Sequence, residues 1–238
     1  MMEKYYGYDL LTDTLAGREI KIVFPKEDAK NGKWILKTEY FDAFPAAELA
    51  LVEKGYHIAH IRNITRWHMW EDTESRAVLA EHMHTKYGLS KKCVIVGMSC
   101  GGMQGIYFAA KHPEYVSCMY LDAPVVNLLS CPGGLCGANG SLLEEFKRDK
   151  GMGMEELISY REHPLDYIPE LVKHNIPIVL VCGDADKSVP YEQNGKLLKE
   201  AYEKNGCNIK FIMKKGGHHP HGLEDNAPIV DFVLNWDK

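Results

Sequence analysis

The sequence of 238 residues has neither a long apolar run nor a strong excess of positive charge. No stretch approaches the ~20 consecutive apolar residues that span a bilayer, and no long run of Lys or Arg is present. The formal net charge of -5 gives no electrostatic attraction to nucleic acid or anionic lipid. We therefore expect neither nucleic acid nor a membrane as a partner of this chain.

The sequence also has little that indicates secretion or a bound metal. Its first residues lack the basic and apolar regions of a signal peptide. The seven cysteines are an odd number, scattered from Cys93 to Cys207, which favours free thiols in a reducing compartment. Cys131 and Cys136 are not followed by a second pair at zinc-site spacing. We expect a cytoplasmic protein without a metal or another cofactor.

What the sequence does contain is an alternation of strand-like and helix-like segments. Strands are predicted at 18–24, 34–37, 56–61, 93–96, 116–121, 176–182 and 208–213. Helices are predicted at 45–54, 71–87, 100–111, 190–204 and 227–236. This order predicts one α/β domain over residues 1–238, in which a mostly parallel sheet has helices on both faces.

The segment 127–173 interrupts this alternation and is too long for a single crossover. It holds a loop rich in Cys, Gly and Pro, followed by polar helical stretches at 142–150 and 154–162. Long insertions in compact domains are usually lids or binding loops. We predict a small helical cap over the edge of the sheet where the strands end. The alternative is a solvated insertion on a remote surface.

A candidate nucleophile lies where the apolar strand 93–96 meets the next helix. Residues 97–101 read Gly-Met-Ser-Cys-Gly, which matches G-x-S-x-G, and they lead directly into a helix of small residues. A nucleophile on so sharp a turn has a strained backbone, and side chains two residues away would collide with it. The pattern predicts Ser99 as the nucleophile; the alternative is a structural serine in a glycine-rich turn.

A serine hydroxyl needs a base, and the base needs an orienting acid. In this arrangement the chain order is Ser, then Asp or Glu, then His. The strand 176–182 leads into Asp184 and Asp186. We predict Asp186 as the acid because it lies deeper in the loop, with Asp184 as the alternative and Asp122 as a more distant candidate.

The base is expected in the loop after the strand 208–213, where His218, His219 and His221 follow two glycines. We predict His218 as the base, with His219 as the alternative. Such a histidine cluster also suggests a metal, but no acidic ligand stands at a fixed spacing from it. We therefore predict a catalytic and structural role for the cluster.

The oxyanion hole requires two backbone donors. The first is predicted to be the amide of Cys100, at the start of the helix after Ser99. The second is expected from the turn 38–41, and we choose Tyr40.

The loop 62–71 is rich in aromatic, Arg and His residues and follows a strand. We predict Trp67, His68 and Trp70 as substrate-binding residues that stack on a sugar or aryl ring. The alternative is a partly exposed loop that packs its tryptophans without contacting a substrate.

The sequence resembles the α/β-hydrolase superfamily through GMSCGG, GDADKSVP and GGHHPHG, which occur in the superfamily's order. Longer stretches around these motifs are similar to a group of bacterial hydrolases described as esterases. The resemblance implies a triad of Ser99, Asp186 and His218 and the hydrolysis of a carboxylic ester. Many members have His-Gly where this chain has Thr38-Glu39, a departure that affects the second oxyanion donor.

From these features we expect a serine esterase that acts on a small or carbohydrate-linked ester. Amide or peptide hydrolysis is an alternative. So are a lyase or perhydrolase with the same triad and a binding protein of this fold without turnover. The sequence leaves the oligomeric state open, a homo-oligomer included.

Overall fold

A computed structural model describes residues 2–27 and 30–238. Within these ranges nine strands form one sheet, in the order β1-β2-β3-β5-β4-β6-β7-β8-β9. The strands are β1 Met2–Tyr5, β2 Tyr8–Leu15, β3 Arg18–Phe24, β4 Trp34–Lys37, β5 His57–Ile61, β6 Cys93–Met98, β7 Val116–Asp122, β8 Ile178–Gly183 and β9 Ile209–Lys214.

The strands from β4 onward pair in parallel, whereas β1, β2 and β3 extend the sheet with antiparallel pairs. The predicted mostly parallel sheet of an α/β-hydrolase fold is therefore confirmed. Sequence analysis did not predict β1 and β2, because their residues are mostly polar or half-exposed and they lie at an edge of the sheet. Edge strands of this kind carry a weak hydrophobic signal.

Helices cover both faces of the sheet. They are α1 Ala46–Glu53, α2 Trp70–Tyr87, α3 Cys100–Lys111, α4 Leu143–Lys150, α5 Met154–Ser159, α6 Ile168–Lys173, α7 Gly195–Lys204 and α8 Ala227–Trp236. The buried side chains of α2, α3, α6 and α7 share one core cluster with one side of the strands. Those of α1 and α8 share the cluster on the other side. No helix among the described residues is both long and apolar enough to cross a membrane.

The predicted insertion at 127–173 divides into two structurally different parts. Its first part, which includes α4 and α5, buries Phe146 and Leu157 in a separate apolar cluster with Trp67 and Val189. Helix α6, in contrast, buries Ile168 in the main core beside α3 and α7. We call the part before α6, residues 127–167, the cap; α6 covers the sheet as an ordinary crossover helix does.

Candidate active site

The turn between β6 and α3 places Ser99 in a strained backbone conformation, with φ +55° and ψ −121°. Such a conformation costs about 1–3 kcal/mol in a residue other than glycine and persists only where its surroundings fix it. Here the Ser99 amide donates to the Asp122 carbonyl (2.9 Å), and its carbonyl accepts from the Gly102 and Val125 amides (3.0 and 3.1 Å). These three bonds hold the Ser99 backbone at the end of β6.

Close contacts require glycine at the first position of the motif, Gly97, and at Gly102, which directly follows the motif. A Cβ atom on Gly97 would lie 2.5 Å from the carbonyl oxygen of Gly101, and one on Gly102 would lie 2.5 Å from the Pro124 Cβ. Real Cβ atoms do not approach other atoms so closely, so a side chain at either position would force the turn apart.

Three side chains from three loops meet at this turn. The Ser99 Oγ lies 3.0 Å from the His218 Nε2, and the His218 Nδ1 lies 2.7 Å from the Asp186 Oδ2. The structure thus brings together the three residues that sequence analysis selected. They lie at the ends of β6, β8 and β9, which is the edge where ligands bind in parallel sheets.

The Asp186 carboxylate is fixed from its other side as well. Its Oδ1 accepts from the amides of Ser188 (2.8 Å) and Val189 (2.9 Å). Burial raises the pKa of the Asp186 carboxyl, but the hydrogen bonds from His218 and the two amides together lower it below its ordinary value. The carboxylate therefore stays ionised and keeps the Nδ1 proton of His218 in place.

The alternative residues have other partners. Asp184 is exposed and accepts from the Gly216 amide (2.9 Å), so it braces the turn that leads to His218. Asp122 is buried and accepts from the Nδ1 of His221 (2.8 Å). Neither carboxylate is hydrogen-bonded to His218.

A cavity of about 330 Å³ opens at Ser99. Tyr40, Phe44 and Arg66 line it from the main domain, and the cap contributes Asn139, Ser141 and Leu142. The cap segment therefore forms part of the wall around the Ser99 hydroxyl.

The two amides that are predicted to form the oxyanion hole belong to Cys100 and Tyr40. The Cys100 amide is in the first turn of α3 and so has no partner within the helix. Tyr40 has a left-handed backbone (φ +53°), and its amide donates weakly to the Glu39 Oε1 at 3.3 Å.

Burial raises the pKa of the Cys100 thiol to about 11, which keeps it protonated and unsuited to act as a nucleophile.

The model of the prolyl oligopeptidase family matches residues 65–236, well over half of the chain. The protein belongs to the prolyl oligopeptidase family. It is a serine hydrolase, as this family and the resemblance to α/β-hydrolases imply. No curated protein matches the sequence.

Solved structures match this family member at low sequence identity. The acylaminoacyl peptidase of Pyrococcus horikoshii has a TM-score of 0.72 and 15% identity, and the match covers 97% of this chain and 41% of that one. A puromycin hydrolase matches with a TM-score of 0.69 and 17% identity over 94% and 38%. Est1E from Butyrivibrio proteoclasticus matches with a TM-score of 0.68 and 17% identity over 96% and 98%. The chain spans about two fifths of the length of the first two, and the likeness establishes the shared fold.

In this prolyl oligopeptidase family member, a buried polar network supports the turn 38–41, which is predicted to supply the second oxyanion donor. The Arg76 guanidinium is buried and donates to Gln104 Oε1 (2.8 Å) and to Asn63 Oδ1. The Asn63 Nδ2 in turn donates to the Thr38 carbonyl (2.8 Å) and the Glu39 Oε2 (2.6 Å). Sequence analysis missed this network because its members are far apart in the chain and none belongs to a motif.

The structure does not bring the three predicted substrate-binding side chains to the cavity. Trp67 packs edge-on against Phe146, with ring centroids 5.3 Å apart, and His68 stacks on Tyr107 at 3.9 Å. Trp70 packs against the same tyrosine at 5.6 Å. Burial lowers the pKa of His68 to about 2, so its ring is neutral. The aromatic side chains of this loop fill the space beneath the cap because burial there removes their large apolar surface from water.

The cap helix α4 holds the same loop in place. The Glu145 carboxylate accepts from the Arg66 Nε (2.6 Å) and Nη2, and from the Trp67 Nε1 (3.0 Å). Thr65 Oγ1 donates to Asp149 Oδ2 at 2.8 Å. Arg66 therefore lines the cavity, whereas the residues predicted to do so, Trp67, His68 and Trp70, do not.

Proposed function

We propose that the protein hydrolyses a carboxylic ester through an acyl-enzyme on Ser99. The observation that carries this proposal is the continuous hydrogen-bonded line from the Ser99 Oγ to His218 (3.0 Å) and on to Asp186 (2.7 Å) at the opening of a cavity. The ionised Asp186 carboxylate faces the Nδ1 of His218, which leaves the Nε2 directed at the Ser99 hydroxyl.

In the first half of the reaction, His218 Nε2 takes the Ser99 proton while the Oγ forms a bond to the ester carbonyl carbon. The amides of Cys100 and Tyr40 stabilise the oxyanion, for which the Tyr40 amide leaves its weak bond to Glu39. The tetrahedral species collapses, and His218 protonates the departing alcohol oxygen. Water then attacks the acyl-enzyme with His218 as base, which releases the carboxylic acid and restores Ser99.

The size and the lining of the cavity support a small ester. A volume of about 330 Å³ is at the low end of the range for small-molecule sites. Phe44 and Leu142 offer apolar contacts, while Arg66, Asn139 and Ser141 offer donors for hydroxyl groups such as those of a sugar. Est1E, unlike the two longer structures, is matched over 98% of its own length.

Peptide hydrolysis is the second candidate, because the family is named for an oligopeptidase and a similar structure is an acylaminoacyl peptidase. A panel with several acyl groups, each on an ester and on an amide leaving group, separates the two. It contains nitrophenyl esters, acetylated and feruloylated sugars, and matched amides and aminoacyl anilides. Because a serine peptidase also cleaves esters faster than the matching amides, the deciding comparison is between the sugar esters and the aminoacyl anilides: we expect a higher kcat/KM for the sugar esters, and faster cleavage of the aminoacyl anilides would favour a peptidase.

The cap is predicted to select the acyl group. Leu142→Ala removes an apolar side chain from the cavity wall, so the preference for hexanoyl over acetyl nitrophenyl esters should rise by about tenfold. The measurement is the ratio of the two kcat/KM values. Leu135→Ala is the matched control, because this exposed leucine of the same segment does not line the cavity. An unchanged ratio in Leu142→Ala would contradict a cap that contacts the acyl group.

A further inference from the structure

Three histidine rings of the β9–α8 loop form a triangle beside Ser99. The ring centroids of His218 and His219 are 4.7 Å apart, those of His218 and His221 are 4.8 Å apart, and those of His219 and His221 are 5.0 Å apart. With zinc–nitrogen bonds of about 2.1 Å, three imidazoles on one tetrahedral ion have centroids about 5 Å apart. One nitrogen atom from each ring already lies within 4.8 Å of the others. The ring centroids therefore have the spacing of a three-histidine site, and binding would draw the ring nitrogens together to the ~3.4 Å separation of ligands on a tetrahedral ion.

Two of these histidines have a carboxylate partner, which is one of the acceptors that orient metal-binding histidines. The Nδ1 of His218 faces Asp186 (2.7 Å), and that of His221 faces Asp122 (2.8 Å). Asp122 is fully buried and also accepts from the Gly222 amide (2.7 Å) and the Lys214 ammonium (3.3 Å), so it faces the His221 Nδ1 as an acceptor. In both rings the Nε2 is left with its lone pair.

The third ring is also suited to binding a cation. His219 is exposed and lies in the wall of the cavity at Ser99, so an ion from solvent can reach its ring nitrogens. The buried carboxylate of Asp186 adds negative charge next to the cluster, whereas that of Asp122 is paired with the Lys214 ammonium at 3.3 Å.

We propose that His218, His219 and His221 form an inhibitory site for zinc or a similar divalent transition metal. The ion would take the Nε2 lone pairs of His218 and His221 and one ring nitrogen of His219. The His218 lone pair is the one that accepts the Ser99 proton, so a bound ion stops acylation. No covalent bond is broken, and a chelator returns the lone pair.

Binding is tested apart from catalysis on the Ser99→Ala chain, stripped with EDTA and titrated with zinc chloride in a calorimeter. We expect one zinc ion per chain. His219→Ala in the same background should weaken binding by about tenfold or more. His174→Ala, which removes a half-exposed histidine of another loop, should bind zinc like its parent. Absence of one-to-one binding, or equal affinity in the His219 and His174 variants, would overturn the proposal.

Inhibition is tested on the catalytically active chain by the hydrolysis of a nitrophenyl ester. The rate of each protein in the presence of zinc is compared with the rate of the same protein in EDTA. Zinc should stop both ester hydrolysis and fluorophosphonate labelling of Ser99, and EDTA should restore both. Magnesium should have no effect, because it prefers oxygen ligands. Zinc that binds without slowing the labelling, or EDTA that abolishes activity, would contradict an inhibitory site; the latter would indicate a catalytic metal.

Discussion

Replacing Ser99 with alanine is expected to lower kcat by about 10⁴-fold or more. The substitution removes the oxygen that forms the acyl-enzyme, while the oxyanion donors and the cavity stay in place. The residual rate would come from water attacking a bound ester directly. Steady-state kinetics on a nitrophenyl ester measure the change, and circular dichroism checks that the fold is retained.

Ser141→Ala is the matched control for this variant, because it removes another hydroxyl group from the wall of the same cavity. Ser141 has no histidine partner among the hydrogen bonds of the described residues, and its loss should change kcat by less than about tenfold. A Ser99→Ala enzyme with near wild-type kcat would show that the nucleophile lies elsewhere.

Replacing Asp186 with asparagine is expected to lower kcat by about 10⁴-fold, because the imidazole loses the acceptor that sets its tautomer. The asparagine oxygen can still accept from the Ser188 and Val189 amides, which bind the Oδ1 of the native carboxylate. Its NH₂ group then faces the His218 Nδ1, and this donor favours the tautomer whose Nε2 carries the proton. Such a ring cannot take the proton of Ser99.

Asp184→Asn is the control for Asp186→Asn. The carboxylate of Asp184 only accepts from the Gly216 amide, a role that an asparagine oxygen also fills. We expect a loss in kcat of less than about tenfold. A reversed order of the two losses would assign the orienting acid to Asp184.

The parts of the fold that could be predicted from sequence are those with strong local signals. β6 is a continuous apolar run, and α3 begins directly after the glycine-flanked Ser99. Because the carboxyl ends of parallel strands lie at one edge, the loops after β8 and β9 were expected near the same serine. The distances between Ser99, His218 and Asp186 agree with that expectation.

Long-range contacts could not be predicted in this way. The partner of Asp122 is His221, 99 positions later in the chain, and only the folded sheet brings the ends of β7 and β9 together.

The loop that contains Trp67 has aromatic residues, as many sugar-binding loops do. Whether those rings face a cavity or a cap depends on helix α4, whose Glu145 pairs with Arg66. No local pattern specifies such contacts.

The second oxyanion donor remains a prediction. Tyr40 lies in the cavity wall with a left-handed backbone, and Asn63 donates to the carbonyl of Thr38, two residues earlier. Its position fits the proposed role, but its amide meets an oxyanion only during the reaction.

The central claim is that Ser99 is a nucleophile activated by His218 and Asp186, and covalent labelling tests it most directly. The protein is treated with a fluorophosphonate and digested, and the modified peptide is identified by mass spectrometry. The account predicts one adduct per chain on Ser99, absent in Ser99→Ala and formed much more slowly in Asp186→Asn. An adduct on another residue, or labelling that persists at full strength in Ser99→Ala, would contradict it.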